Sequence, residues 1–176
     1  MSLRVLRGER LPVSRTLWQA MPTITALLHT QNDALRLGRA LEMLFPCDEI
    51  LIVDHGSDDG TIEVAREYGA RILSPEPRTS YGEMAHGDWI FSLDPRESVT
   101  EALAASLFEW KFEKIAASVR AFSVYRRDET AEGWVDNPIA QTRLVRSDWD
   151  RWAGHFPQQD ASAVTLEGDL LHFVFP

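Results

Sequence analysis

Three hydrophobic runs in this chain close on residues able to do chemistry. "TITALLHT" ends on His29-Thr30, "DEILIVD" on Asp54 and "DWIFSLD" on Asp94. Asp54 is followed at once by "HGSDDGT", a set of small, polar, helix-starting residues. Core packing gives no reason to end the most hydrophobic run on a charge, whereas a polar ligand beyond it does. The competing explanation is local: the Asp54 side chain accepts the Gly56 or Ser57 N–H in a turn. Asn32, Asp33, Ser57 and Asp58 have the same double reading, because each can also cap the helix expected after it.

The elements that must position these residues follow from periodicity. Residues 23–30 are β-branched and aliphatic and too few for a helix, so they read as a buried strand. Leu37, Leu41, Leu44 and Phe45 then recur at helical spacing until Pro46 stops them. Residues 48–54 form the second strand, with an apolar run suited to cover on both faces. Ile62, Ala65 and Tyr68 mark the next helix, with Gly69 at its C-terminal turn. "ARIL" is a third strand, "SPEPRTSYG" a loop, and residues 88–94 the fourth strand. "SVTE" has the form of a capping box from Ser98 to Glu101, ahead of a helix through Leu103, Leu107 and Trp110. Beyond it "SVRAFSVYRR", "NPIAQTRLVRS" and "AVTLEGDLLHFVF" read as strands or hairpins.

This alternation predicts an α/β fold with a doubly wound, mostly parallel central sheet, helices on both faces and a β-rich C-terminal part. Ligands of such sheets bind outside the carboxyl ends of the strands, where Thr30, Asp54 and Asp94 stand. Residues 1–22, punctuated by Pro12 and Pro22, read as an N-terminal arm, and residues 23–176 as a single domain. A length of 176 residues suits one core of ordinary size.

Composition narrows the partners. A net charge of −9 opposes non-specific nucleic-acid binding. One cysteine, Cys47, excludes an internal disulfide framework and a multi-cysteine zinc site. No apolar run is long enough for a transmembrane segment, and the first 22 residues lack the apolar centre of a secretory signal. The expected location is the cytoplasm or, peripherally, the inner membrane face.

In this order and spacing the motifs resemble the family-2 glycosyltransferases, whose fold is the nucleotide-diphosphosugar transferase type called GT-A, and in particular the bacterial branch that builds lipopolysaccharide cores and other surface glycans. "DEILIVDHGSDDGTIEVAREYGARI" follows that family's D-E-I-V-V-V-D-S-G-S-T-D-G-T and its helix. "GDWIFSLDPRESVTEAL" follows G-D-W-I-L-x-L-D-A-D-E-x-V-T-x-E-L, and "TRLVRS" and "GDLLHF" resemble the C-terminal region. The likeness spans about residues 23–175. It implies a nucleotide-activated sugar as donor, an unknown glycan or lipid-linked acceptor, and inverting transfer. Asp54 would accept the imide N–H of the base, with Thr30 beside it; Asn32, Ser57 and Asp94 complete the nucleotide-binding set. A divalent metal, Mg2+ or Mn2+, would be held by Asp94, Glu97 and His172.

The departures from that pattern all fall on catalytic machinery. Arg96 stands where a second metal-binding Asp is expected, and pairing of Arg96 with Asp94 or Glu97 at a disused site is favoured over contact with a diphosphate. The segment "SYGEMAHGDW" lacks about two helical turns that would cover the donor, and His86 is no assured replacement. Pro157-Gln158 stand where a His-Glu pair would supply the acceptor base; His155 and Asp160 lie nearby, and no residue is assigned as catalytic. The alternative to an enzyme is therefore a catalytically impaired relative that binds a nucleotide, a glycan or a partner protein. Trp134, Trp149 and Trp152 offer either a homodimer interface or core packing.

Overall fold

Strand β1 (Ile24–Thr30), buried along almost its whole length, lies inside the sheet. It pairs in parallel with β2 (Glu49–Asp54) and β4 (Trp89–Leu93), while β3 (Arg71–Leu73) adds in parallel to β2. This is a computed structural model, and it describes residues 21–77 and 79–175. The expected arm over residues 1–22 lies outside them but for Met21 and Pro22.

Beyond β4 the pairing changes sense. Strand β8 (Gln141–Arg146) runs antiparallel to β4 and to β6 (Ala121–Thr130); β11 (Val164–His172) joins β6 in parallel, and β5 (Glu97–Val99) closes the edge against β11. Strand β7 (Gly133–Asp136) hairpins onto β6, and β9 (Trp152–Ala153) with β10 (Phe156–Pro157) makes a separate two-stranded sheet. The α/β class is as expected, with parallel strands in the N-terminal half and a β-rich remainder. Strand β5 and the β9–β10 hairpin are additions, too short to leave a periodic signal.

One face of the sheet carries α1 (Ala34–Leu41), α2 (Thr61–Glu67) and α4 (Glu101–Trp110), which bury Leu37, Leu41, Ala65, Leu103, Leu107 and Trp110 against Ile24, Leu28, Ile52 and Phe91. An eight-residue helix such as α1 is marginal alone. Burying Leu37 and Leu41, at about 1.5–3 kcal/mol each, is what holds it. The other face is covered thinly, by the one-turn α3 (Tyr81–Met84) and the chain around Trp149, over Leu27, Leu51, Val53 and Ile90. That thin cover agrees with the shortened segment after β3.

Several local expectations are corrected. Helix α1 stops at Leu41, short of the stretch expected to run to Pro46; beyond its end Leu44 is still buried and Phe45 is exposed. The cap of α4 is Thr100, whose hydroxyl accepts from Leu103 N–H at 3.3 Å, while Ser98 lies inside β5. A full capping box occurs instead at Ser80–Glu83, starting α3. Strand β11 is broken by a bulge at Gly168, which has φ +93° and sits so close to α4 that a Cβ would meet Leu103 N at 2.3 Å. Among the described residues no helix is long and apolar enough to cross a membrane.

Candidate functional site

Side-chain alternation divides the two central strand ends between the faces of the sheet. Thr30 and Asp54, register partners at the ends of β1 and β2, point with Leu28 and Ile52 toward the helical face. His29 and His55 point with Leu27 and Val53 toward the thin face.

On the helical face the Asp54 carboxylate accepts four hydrogen bonds. Thr30 Oγ1 donates at 2.9 Å and Ser57 Oγ at 2.5 Å to one oxygen; Gly56 N and Ser57 N donate at 3.0 and 2.9 Å to the other. Burial raises the carboxyl's pKa, but the Ser57, Thr30 and Gly56 donors outweigh it and hold Asp54 below its usual range. The turn chemistry weighed for Asp54 is therefore present in full.

Asn32, at φ 57°, has a similar structural task. Its backbone N–H donates to Ser57 Oγ and its side-chain oxygen accepts from Asp58 N, both at 2.9 Å. Asp33 N reaches Thr61 Oγ1 and Ala34 N reaches Asp59, so the β1–α1 and β2–α2 loops cap one another. The expected self-capping by Asn32, Asp33, Ser57 or Asp58 is replaced by this exchange: α1 has no side-chain cap of its own, and Gly60 is the N-cap position of α2.

Glu97 is 1% exposed and faces Arg143, itself 4% exposed, through two hydrogen bonds of 2.8 and 2.6 Å. Arg126 adds its charge at 3.7 Å from Glu97 and pairs with Asp128, to which His172 Nδ1 also lies at 2.9 Å. Among the described residues Arg96 makes no ion pair with Asp94 or Glu97; its backbone N–H donates to Asp94 and its side chain is exposed. Arg143, distant in sequence, takes the partnership that Arg96 was expected to have. With Glu97 already matched by two guanidinium groups, the Asp94–Glu97 pair offers poor oxygen ligands for Mg2+ or Mn2+. Asp94 and His172 do line one small cavity of 280 Å³ with Glu97.

On the thin face His29, His55 and His155 converge. His29 Nδ1 lies 2.9 Å from His55 Nε2, and the His155 ring stacks on His29 with centroids 3.7 Å apart and planes 15° from parallel. Tyr81 Oη is 3.3 Å from His155 Nδ1. His155 arrives on the Gly154 turn of the β9–β10 hairpin, and α3 is held near by Gly82, where a Cβ would meet Ser147 O at 2.0 Å. Burial, reinforced by His155 and His55, pushes His29 down to about 3, so its ring is neutral at ordinary pH. His155 is lowered by burial and by His55, against the opposing pull of Asp94.

The three imidazoles separate two cavities. One, of 660 Å³, is walled by Val53, Tyr81, Met84, Trp149 and Trp152; the other, of 430 Å³, by Thr30, Asp33, Asp94, Pro95 and Arg96. Residues at or just beyond the ends of β1, β2 and β4 thus line the smaller cavity together. His155 reaches it, whereas Asp160 is tied to Arg151 and Ser162, and His86 lies against Glu49. His55 went unremarked in the sequence; its place one residue beyond a strand end was the available signal. Trp149 is buried, Trp152 packs on Tyr81 and Trp134 on Phe173.

The chain is 26% identical over 164 residues to a glycosyltransferase of Rickettsia prowazekii, RP128, a match covering 85% of this chain and 55% of that protein. It is 33% identical over 97 residues to the lipopolysaccharide core biosynthesis glycosyltransferase LpsC of Rhizobium meliloti, covering 49% and 36% respectively. The chain is thus similar in sequence to bacterial glycosyltransferases. It spans about half the length, or less, of these relatives, and no family model matches it. Glucosyl-3-phosphoglycerate synthase from Mycobacterium tuberculosis, solved with Mn2+, uridine diphosphate and phosphoglyceric acid, aligns with a TM-score of 0.48 at 17% identity over 73% of this chain and 57% of that one.

Proposed function

We propose that this glycosyltransferase relative binds a nucleotide-activated sugar in the crevice beyond β1, β2 and β4. The observation that carries the reading is the convergence of the three strand ends on a cavity of 430 Å³, with a second of 660 Å³ on the far side of His29, His55 and His155, in the position where α/β sheets take ligands. Thr30 and Asp94 line it directly. Asp54, Asn32 and Ser57 stand behind it, so that a base contacting Asp54 replaces one of four existing donors. If the chain transfers sugar, displacement at the anomeric carbon is inverting, and the acceptor is a glycan or lipid-linked hydroxyl.

A specific observation favours the second reading, a binding protein with little or no turnover. Loss of a phosphate leaving group needs positive charge beside it, and the acidic motif that would hold a divalent metal is occupied by the buried Arg143–Glu97 pair. Calorimetric titration with uridine and guanosine diphosphate sugars, with and without Mn2+, tests both. Saturable binding indifferent to Mn2+, without release of free nucleoside diphosphate, is expected. At least tenfold tighter binding with Mn2+ restores the metal-dependent enzyme; no binding in any condition removes the donor site.

A further inference from the structure

We propose that His29, His55 and His155 form a binding site for a borderline divalent transition metal ion, of which Zn2+ is the representative. Each offers one ring nitrogen, and the three atoms lie within 4.8 Å of one another, half-buried on His29 and His55 and exposed on His155. Three imidazoles with no thiolate suit Zn2+, Co2+, Ni2+ or Cu2+, and suit Mg2+ or Mn2+ poorly. This is a different site from the acidic motif of Asp94 and Glu97, and it is built from different chemistry.

Hydrogen bonding does not account for the cluster. His29 Nδ1 and His55 Nε2 share a single 2.9 Å contact, while His29 Nε2 is buried without any partner. Metal–nitrogen bonds of about 2.0–2.1 Å at tetrahedral angles separate ligand nitrogens by roughly 3.3 Å, so the His29–His55 pair has only a few tenths of an ångström to open. His155 has more to do. Stacked in-plane lone pairs run side by side, and the ring must tilt off His29 to aim at the same point. Its exposed position on the Gly154 turn allows that tilt. Tyr81 Oη, 3.3 Å from His155 Nδ1, is placed to orient the ring from outside, leaving Nε2 for the ion.

Three protein ligands leave a fourth position open, to water or to an anionic oxygen. Both cavities border the cluster, and Asp94 and Arg96 line the smaller one with it. The ion would thus stand where a phosphate-bearing ligand can reach it. Its binding does not depend on sugar transfer and is read without nucleotide.

The test uses the full chain, stripped with a chelator and titrated with Co2+ and Zn2+. One equivalent is expected, with the ligand-field absorption of nitrogen-coordinated Co2+ abolished by one equivalent of Zn2+ and insensitive to a large excess of Mg2+. His155→Ala, on an exposed turn, is expected to weaken Co2+ binding at least tenfold, and His55→Ala likewise, with circular dichroism unchanged. His86→Ala, outside the cluster, leaves binding intact. Absence of saturable binding overturns the proposal. So does binding that survives His155→Ala and His55→Ala, which would mark adventitious surface coordination.

Discussion

Glu97 and Arg143 form a bidentate ion pair from which water is almost wholly withdrawn. Arg143 also donates to Ser92 O and Gln141 Oε1 and lies over the Phe156 ring, so one guanidinium joins β4, β5, β8 and β10. Removing one partner strands the other charge. Glu97→Gln or Arg143→Met is expected to cost about 3–5 kcal/mol, whereas Glu97→Leu combined with Arg143→Met recovers much of the loss. Denaturant unfolding of the two singles and the double checks this; additive losses would contradict it.

Asp54 carries a second prediction, in pH. Its folded pKa is depressed by the Ser57, Thr30 and Gly56 donors, although burial opposes them. A depressed carboxyl stabilises the fold above the unfolded value of about 3.9 and loses that contribution as pH falls through the folded value. Asp54→Asn is expected to flatten the acid limb of stability below about pH 4, measured by thermal melts from neutral pH downward. The same geometry warns against Asp54→Ala as a probe of nucleotide contact. It leaves three residues' donors without an acceptor, at about 1–3 kcal/mol for each one buried.

Two glycines with positive φ separate strain from crowding. Gly56, at φ +85°, has nothing within 4 Å of an added Cβ, so Gly56→Ala meets backbone strain alone, about 1–2 kcal/mol. At Gly168, φ +93°, the Cβ also collides with Leu103 N at 2.3 Å. Gly168→Ala is therefore expected to destabilise by about 1–3 kcal/mol more than Gly56→Ala. Equal losses in denaturant unfolding would show that β11 and α4 can part without penalty.

Gly82 tests the wall of the larger cavity. A Cβ there would lie 2.0 Å from Ser147 O, backbone against backbone. Gly82→Ala is expected to move α3 away from the Trp149 segment and raise the quenching of tryptophan fluorescence by acrylamide, with a cost of about 1–3 kcal/mol. Unchanged quenching would show that the contact is not what seats α3.

The sequence made the strands and the order of the helices legible because their apolar periods are long. Strand ends were legible in part: of Thr30, Asp54 and Asp94, expected together beside a ligand, Thr30 and Asp94 line one cavity while Asp54 is turned into its own loop. What it hid was partnership across distance. Nothing near Glu97 announces Arg143, 46 residues on, and Arg96 was the nearer candidate only along the chain. The imidazole cluster escaped for the same reason: His155 comes from a hairpin whose strands are two residues each. At Asp54 only the family resemblance tips the reading toward nucleotide contact, because turn chemistry and ligand contact ask for the same residue type in the same place.

The reciprocal capping between the loops after β1 and β2 has a thermodynamic corollary for anything that lodges beyond them. Backbone freedom at Asn32, Asp33 and Ala34 is already surrendered to Ser57, Thr61 and Asp59 when the chain folds. Association at this rim therefore meets a stiff template, and little of its free energy is diverted into immobilising flexible segments.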